Sequence, residues 1–272
     1  MTDDRHASEV EAWREGRYAA LQSDTGWLTL AGLGWLKPGE NRVGTAAEAD
    51  IRLPSGPSLA GTITTTDGRA LADGAFTHEG EPARDLELVS DRDGEPTMLA
   101  LGDLRLCVID RGDRLAVRTW DTASEQRRTF AGIDHWPVDP AWRLAARFVA
   151  TPDARISVPD VLGTADEESS PGTVVFEVDG VEYRLQGLPG GPNGELWLVF
   201  GDATNEKETY GGGRFLYTDA PAADGSVIVD FNRTYNPPCV FSPYATCPLP
   251  WPANRLPIRM EAGERMFRTG SS

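Results

Sequence analysis

Glycine and proline interrupt this sequence at short intervals, and their spacing limits the possible folds more than any other feature. The chain has 29 glycines and 20 prolines. Between them lie short runs in which apolar and polar residues alternate, as expected of a strand with one buried face. This pattern predicts a mainly β fold, with antiparallel sheets arranged as a sandwich or barrel, rather than alternating strands and helices.

Two hairpins are the clearest local predictions. Residues 174–178 and 181–185 alternate on either side of Asp179-Gly180. Asp-Gly is a favoured two-residue hairpin turn because both central positions need a positive φ. A second hairpin is predicted to join residues 104–109 to residues 115–118.

One helix is predicted near the N-terminus, over roughly residues 7–22. Val10, Trp13 and Leu21 fall on one face at helical spacing, and Gly26 follows as a stop. We expect a single β-rich unit over residues 1–272, or two packed layers over residues 1–163 and 164–272. The acidic stretch 164–172 is open to two interpretations, a linker or a long surface loop.

Part of the first layer resembles the opening strands of a forkhead-associated domain. The similar residues are 41–45 and 50–54. That family binds phosphothreonine through an arginine directly after the glycine, and here the position is Thr45, which cannot make a bidentate charged contact with phosphate. The resemblance therefore supports a β-sandwich layout without phosphopeptide binding.

The charge balance argues against two classes of partner. The chain has 42 acidic and 26 basic residues, a formal net charge of −16. Such a field repels phosphate backbones and anionic lipids, so we expect no nucleic acid and no membrane partner. Only two of the basic residues are lysines, Lys37 and Lys207. A high-salt habitat and an arginine-rich coding bias both explain that ratio.

The N-terminus and the cysteines indicate a cytoplasmic protein. The first residues are charged and precede no apolar segment, and the longest uncharged stretch near them, residues 25–36, is too short to span a bilayer. Three cysteines make an odd count, for which free thiols in a reducing compartment are the default.

Common catalytic motifs are absent from the sequence. It has no His-Glu-x-x-His, no Gly-x-Ser-x-Gly, no phosphate-binding loop and no dinucleotide fingerprint. The three histidines, His6, His78 and His135, are far apart in sequence. A histidine zinc site or a Ser-His-Asp triad is therefore not expected. We interpret each histidine as a surface or packing residue, with His6 at a mobile N-terminus.

Residues 202–264 differ in composition from the rest and contain most of the conspicuous polar motifs. Among them are 208–217 (Glu-Thr-Tyr-Gly-Gly-Gly-Arg-Phe-Leu-Tyr), 229–239 (Val-Asp-Phe-Asn-Arg-Thr-Tyr-Asn-Pro-Pro-Cys) and 244–250 (Tyr-Ala-Thr-Cys-Pro-Leu-Pro). This block resembles a family of prokaryotic proteins known as domain of unknown function 1684. The resemblance continues upstream through 26–28, 32–33, Arg118, Asp121 and 136–138, and so covers nearly the whole chain. The family name implies no activity. A local departure lies at 205–207, where relatives tend to carry Ser-Gly.

The glycine triplet between Tyr210 and Arg214 allows two interpretations. Free backbone N–H groups in such a turn can form an anion-binding nest, to which Arg214 would add a forked charge. Alternatively, the glycines form a bulge that redirects the following strand, and Arg214 pairs with Asp202 or Asp230 for structure.

The carboxylates of the block allow a cation site or acid–base chemistry. If residues 230–232 are a strand, Asp230 and Asn232 share one face and Phe231 enters the core. Asp230, Asp202 and Glu208 could then converge on a divalent cation such as magnesium or calcium, or two of them could share proton transfer in a hydrolase. Solvated or arginine-paired carboxylates are the alternative.

Rigid proline segments surround two of the cysteines. Cys239 follows Asn236-Pro237-Pro238, and Cys247 precedes Pro248. The two cysteines could form a disulfide, bind a metal or pack as small apolar residues, and packing is favoured in a reducing compartment.

The leading hypothesis is a site for a small polar ligand with an anionic group at one end of the β-rich domain. If the protein catalyses a reaction, we expect hydrolysis, with Asp230 or Asp202 as the general base. The candidate ligand-binding residues are Arg118, Tyr210, Gly211, Gly212, Gly213, Arg214, Asn232, Tyr235, Asn236 and Arg255. The rival hypothesis is a non-enzymatic structural or protein-interaction module. An open pocket among these side chains favours the first hypothesis, and their use by internal partners favours the second.

Overall fold

The computed structural model describes residues 2–112 and 114–268. The chain divides into two compact units. The small unit comprises residues 19–130 and 242–245, and the large unit comprises residues 2–18, 131–241 and 246–268.

The N-terminal helix α1 extends over Thr2–Leu21, so it begins five residues before the predicted start at residue 7. Val10 and Leu21 of its apolar face are buried, as the helical spacing predicts. Its residues up to Tyr18 belong to the large unit. A short second helix, α2 (Glu125–Arg128), follows the strands of the small unit.

The small unit consists of two sheets. Its strands are β1 (Leu30–Trp35), β2 (Gly39–Gly44), β3 (Ile51–Arg52), β4 (Gly61–Thr66), β5 (Arg69–Gly74), β6 (Thr77–His78), β7 (Glu81–Pro82), β8 (Leu86–Leu88), β9 (Leu99–Leu101), β10 (Leu104–Arg111) and β11 (Arg114–Asp121). One sheet has the order β1-β11-β10-β9-β6-β7 and the other β3-β2-β4-β5-β8. Val43 and Ile63 of the second sheet share one buried cluster with Leu106 and Val117 of the first. The two sheets therefore pack face to face.

The large unit is built on one six-stranded sheet. Its strands are β12 (Arg143–Pro159), β13 (Ala165–Val178), β14 (Val181–Pro189), β15 (Leu196–Phe200), β16 (Arg214–Thr218) and β17 (Ser226–Asp230), in the order β16-β15-β14-β13-β12-β17. Single 3₁₀ turns lie at Pro140–Trp142, Phe231–Arg233, Pro238–Val240 and Pro252–Asn254. The neighbouring strands are antiparallel.

The predicted fold class is confirmed: the chain is mainly β, with antiparallel sheets and one long N-terminal helix. Both predicted hairpins form, β10 with β11 and β13 with β14. At the second turn Asp179 and Gly180 have φ values of 52° and 76°, as the Asp-Gly signal requires.

Two local predictions are wrong. Residues 164–172 form neither a linker nor a loop, because most of them belong to β13, which pairs with β12 in a long hairpin. The condition that residues 230–232 are a strand is not met, because β17 ends at Asp230, whose carboxylate accepts the backbone N–H of Asn232 and caps a 3₁₀ turn. Phe231 is nevertheless buried.

The core of the large unit explains the position of the C-terminal block. Phe231 is fully buried, with its ring centroid 5.3 Å from that of Phe176 and 5.6 Å from that of Phe200. Leu256 and Met260 join the same cluster, so the irregular C-terminal chain covers a face of the sheet. Burying one phenylalanine side chain stabilises a fold by about 1.5–3 kcal/mol, so this cluster holds the block in place.

Candidate functional site

Arg214 and Asp202, two of the predicted site residues, form a buried ion pair. Arg214 begins strand β16 and is 1% exposed. Its Nη1 donates to Asp202 Oδ2 at 3.0 Å and to the carbonyl of Met260 at 2.8 Å, and its Nη2 donates to the carbonyl of Ala262. Arg214 therefore joins the sheet to the C-terminal chain.

The other partners of this pair are also internal. Asp202 Oδ1 accepts hydrogen bonds from the backbone N–H and the hydroxyl of Thr204, at 2.7 and 2.6 Å. The guanidinium of Arg214 lies 5.4 Å from the ring centroid of Trp136. Burial lowers the pKa of Arg214, and the Asp202 carboxylate opposes that shift. These two groups meet as expected, but in the interior and not around an open cavity, so their geometry matches the structural interpretation.

Asp230, the second candidate base, is occupied on both carboxylate oxygens. Its Oδ2 lies 2.7 Å from His6 Nε2, and its Oδ1 accepts the backbone and side-chain N–H groups of Asn232, at 3.2 and 2.9 Å. Since a carboxylate accepts, Nε2 of His6 carries the proton. Arg233 Nε lies 3.6 Å from the same Oδ2. Asp230 thus forms hydrogen bonds with His6 and Asn232 and places a negative charge beside Arg233.

His6 is placed differently from the sequence interpretation. It is 8% exposed, lies inside helix α1 and bonds a residue 224 positions away. The missed signal was helical spacing: His6 precedes Val10 by four residues and so falls on the same face of the helix. The prediction of a mobile N-terminus failed because it started the helix at residue 7.

A groove of about 360 Å³ opens in the large unit, next to this network. It is lined by Trp13, Gly190, Gly191, Pro192, Glu195, Tyr217, Thr218, Asp219, Arg233 and Tyr235. Three chain segments meet there: helix α1, the β14–β15 connection, and residues from β16 to the 3₁₀ turn after β17. Of the predicted site residues, only Tyr235 lines it.

Aromatic rings form one side of the groove. The rings of Tyr217 and Tyr235 are stacked with centroids 6.1 Å apart, and Trp13 lies 6.4 Å from Tyr235. Tyr217 is 49% exposed, which is unusual for a ring in a stack. Burial raises the pKa of Tyr235 well above its ordinary value, so its hydroxyl stays protonated at neutral pH. The groove thus offers a flat, weakly polar surface.

A network of charged side chains packs against the ring of Tyr235. The guanidinium of Arg17 lies 4.5 Å from its ring centroid, and Arg17 also pairs with the fully buried carboxylate of Glu264. Glu264 in turn accepts the backbone N–H of Asn236 at 2.6 Å, and the Asn236 amide donates to the carbonyl of Arg265 at 2.8 Å. Asn236, a predicted ligand-binding residue, is therefore used internally.

Arg233 is the cation of the groove. Its side chain is 34% exposed, and Asp230 is its ion-pair partner through Nε. Within residues 2–112 and 114–268, its terminal nitrogens have no hydrogen-bond partner. Glu195 and Asp219 bring negative charge to the same groove, and hydrogen bonds from Asn193 lower the pKa of Glu195. The groove can therefore offer a forked donor and two carboxylates to one molecule.

The remaining predicted residues lie elsewhere. Arg118 belongs to the small unit, where its guanidinium is 5.5 Å from the ring centroid of Trp27. Arg255 is exposed, and its backbone forms an isolated β-bridge with Gly201. Asn232 is buried, and its side-chain amide accepts the backbone N–H of Asp139 and donates to the carbonyl of the same residue. Tyr210 and the glycines of residues 211–213 do not line the groove.

The predicted convergence of carboxylates on a cation is not found. Asp202 pairs with Arg214, Glu208 with Arg259, and Asp230 with His6. Across the described ranges, no group of three or more histidine, cysteine, aspartate or glutamate side chains is arranged to hold a metal ion. Nor does this part of the chain contain a helix long and apolar enough to cross a membrane.

The β-rich part of the large unit identifies the family. Residues 128–265, about half of the chain, match the family described as "Protein of unknown function (DUF1684)". The chain belongs to this family. The match begins at residue 128, so it does not extend to the upstream resemblance at 26–28, Arg118 and Asp121.

Solved structures that are similar to part of the chain include one from an archaeon. It is the solution NMR structure of an uncharacterized protein from Haloarcula marismortui, 30% identical in sequence. The alignment covers 52% of this chain and 80% of that chain, with a TM-score of 0.42. No curated protein matches the chain.

Proposed function

We propose that the large unit binds a small polar molecule that carries both an anionic and a cationic group, in the groove between Trp13, Tyr217 and Arg233. The observation that supports this most strongly is the combination of an aromatic stack, in which Tyr217 is exposed, with an arginine whose terminal nitrogens have no hydrogen-bond partner among the described residues. Such grooves, largely apolar with a few convergent polar groups, are typical ligand sites.

In this proposal the guanidinium of Arg233 binds the anionic group of the ligand. Its Nε lies 3.6 Å from Asp230 Oδ2, an ion-pair contact without a hydrogen bond, and Asp230 is itself held by His6 and Asn232, so the negative charge beside Nε favours one direction of the fork before a ligand arrives. A pre-oriented guanidinium recognises a carboxylate or phosphate in bidentate form. Asp230 acts in this proposal as the anchor of Arg233, in place of the general base suggested by the sequence.

The carboxylates of Asp219 and Glu195 would bind the cationic group of the ligand. A protein with a net charge of −16 repels simple anions, and two carboxylates in the groove add to that repulsion. An ammonium group on the ligand turns the same carboxylates into partners. Aromatic faces also attract cations, which favours a molecule with both charges over an anion alone.

The C-terminal block retains a structural role in this proposal. Arg214, Asn236 and Asn254 use their donors on internal partners, which is what an irregular chain without sheet hydrogen bonds requires. This observation favours the structural module as the second candidate function. The two roles are compatible, because the block supports the groove without lining most of it.

Three matched probes test the proposal: L-phenylalanine, which is zwitterionic, 3-phenylpropionate, which is only anionic, and phenethylamine, which is only cationic. Ligand-observed NMR titrations should show the zwitterion binding most tightly. Arg233→Met should weaken L-phenylalanine roughly ten-fold, the low end expected for a partly exposed charge-assisted contact. It should leave phenethylamine unchanged.

Arg184→Met serves as the control, because Arg184 forms an exposed pair with Glu182 on the same sheet. It should change none of the three affinities. Equal binding of all three probes, or no binding by a folded wild-type protein, would contradict the proposal. Loss of all binding in both arginine variants would point to a nonspecific charge effect and would also contradict it.

A further inference from the structure

Cys239 and Cys247 lie in contact at a place separate from the groove lining. The backbone N–H of Cys239 donates to Sγ of Cys247 at 3.1 Å, and the Cys247 thiol is near enough to Cys239 to lower its pKa. Neither Cys239 nor Cys247 is part of a disulfide. Cys239 is half-buried, whereas Cys247 is 4% exposed. A solvent-borne reagent therefore reaches Cys239 first.

Backbone hydrogen bonds fix this arrangement. The carbonyl of Cys247 accepts from Val161 N at 3.0 Å, and Leu249 N donates to the carbonyl of Pro159 at 2.7 Å. These bonds tie the chain around Cys247 to the end of strand β12. On the other side Cys239 lies in the 3₁₀ turn Pro238–Val240, whose entry is stiffened by proline. The sulfur contact is thus a fixed feature of the fold.

Tyr210 is a third group beside the pair, because its hydroxyl is near enough to the Cys239 thiol to contribute to the lowered pKa of Cys239. Asn205 Nδ2 holds the carbonyl of Tyr210 at 2.7 Å. The ring folds back over Gly212, where a Cβ would lie 2.3 Å from Tyr210 Cε1. Gly213 has a φ of 98° and packs against Pro250. The glycine triplet therefore serves to present Tyr210 to Cys239, a role that the anion-nest interpretation did not include.

The hydrogen bonds change the acidity of Cys239. The bond from Cys247, supported by the one from Tyr210, outweighs burial and lowers the pKa of Cys239 to about 7. The buried thiol of Cys107 in the small unit behaves in the opposite way, since burial raises its pKa to about 11. Cys107 is therefore a matched control within the same chain.

We propose that Cys239 and Cys247 form a reversibly oxidisable thiol pair, with Cys239 as the thiol attacked by a peroxide and Cys247 as the resolving thiol. Two sulfurs in contact, one accessible and one buried, are the arrangement that this chemistry needs. Packing alone would not require a tyrosine hydroxyl directed at the accessible sulfur.

The reaction proceeds in two balanced steps. The thiolate of Cys239 attacks one oxygen of hydrogen peroxide, the O–O bond breaks, and the products are a sulfenic acid and hydroxide. The thiol of Cys247 then attacks the sulfenic sulfur, the S–O bond breaks, and a disulfide and water form. Two molecules of a cellular thiol such as glutathione then reduce the disulfide by thiol–disulfide exchange, which restores both cysteine thiols and releases the oxidised reductant as its own disulfide.

Peptide mass spectrometry of the full-length wild-type protein tests the pair. Residues 234–255 form one tryptic peptide that holds both cysteines. After treatment with hydrogen peroxide and alkylation, this peptide should lose two hydrogens and take up no alkyl group. Dithiothreitol should restore two alkylation sites. The peptide containing Cys107 should stay reduced throughout. In Cys247→Ser, dimedone should trap a sulfenic acid on Cys239.

The pH profile of iodoacetamide labelling at Cys239 provides a second readout. At pH 6 a thiol with a pKa of about 7 has roughly thirty times more thiolate than an ordinary thiol of pKa about 8.5. A thiolate of lower pKa is also a weaker nucleophile, so the labelling rate of Cys239 at pH 6 should exceed that of an ordinary thiol by only roughly six-fold. Tyr210→Phe should move the midpoint of the profile upward.

Three results would overturn the inference. One is a peptide 234–255 that keeps both alkylation sites after peroxide. Another is direct formation of a sulfinic acid on Cys239 with no disulfide. The third is a labelling midpoint at Cys239 near that of an ordinary thiol. Circular dichroism before and after oxidation checks that the fold is intact.

Discussion

Replacing Arg214 by methionine should destabilise the protein strongly, because the substitution leaves a buried carboxylate without its cation. Asp202 keeps its hydrogen bonds from Thr204 but loses its charge partner, and the carbonyls of Met260 and Ala262 lose their donors. Breaking one side of a buried pair costs about 3–5 kcal/mol. With an m value of about 3 kcal/mol per molar urea, the unfolding midpoint falls by roughly 1–2 M.

A double-mutant cycle separates the pair from its surroundings. Asp202→Asn alone should also destabilise, since it leaves Arg214 charged and buried. The double variant should cost less than the sum of the single variants, by about 0.5–3 kcal/mol, because neither charge is then left alone. Urea unfolding followed by tryptophan fluorescence and by far-ultraviolet circular dichroism measures each corner of the cycle. Coincidence of the two probes establishes whether a single transition is being measured.

Arg259→Met is the matched control for this cycle. Arg259 pairs with Glu208 and Glu261 on the surface, where solvent screens the interaction. Its substitution should leave the urea midpoint close to that of the wild type. If Arg214→Met is as mild as Arg259→Met, or if the two buried substitutions are additive, the buried-pair account of residue 214 is incorrect.

Three further predictions concern other parts of the large unit. Asp219→Asn should reduce the preference for L-phenylalanine over 3-phenylpropionate by about two- to five-fold in competition NMR, and an unchanged preference would remove Asp219 from the proposed site. Gly212→Ala should lower the urea midpoint, because the added Cβ would clash with the ring of Tyr210. Gly16→Ala in helix α1 adds a Cβ that meets nothing within 4 Å and should raise stability by about 0.5–1 kcal/mol. Effects of the same sign for both variants would contradict the packing of Tyr210 over residue 212. Burial lowers the pKa of His135, so the unfolded state binds the proton more readily and stability falls as pH drops below about 6.5. His135→Gln should flatten the melting temperature between pH 7 and 5.5 relative to the wild type, and parallel curves would exclude this contribution.

Local features were predictable from the sequence. The hairpin at Asp179-Gly180 depends on two residues with positive φ, and the pattern of neighbouring side chains is enough to place it. The face of α1 followed in the same way from Val10 and Leu21. The start of that helix was missed because its first turn is polar, so hydrophobic spacing gave no signal before residue 7.

Long-range placement was not predictable from the sequence. Arg214 is buried because the carbonyls of Met260 and Ala262, 46 and 48 residues later, turn towards it. Nothing in the motif Gly-Gly-Gly-Arg distinguishes that outcome from an anion site. Arg233 lies three residues after Asp230, yet its role depends on Tyr217 in the neighbouring strand β16 and on Trp13 in helix α1, which is far away in sequence. The composition of residues 202–264 distinguished this block from the rest of the chain, but it did not predict which of its side chains face solvent.

Indole N–H chemical shifts during a titration with L-phenylalanine test the central claim most directly. Trp13 lines the groove, whereas Trp136 is half-buried beside Arg214 and does not line the groove, and Trp→Phe variants assign the two signals. We predict a saturable shift of the Trp13 signal with no change at Trp136. A shift at Trp136 without one at Trp13, or no shift at either, would contradict a ligand site in the groove.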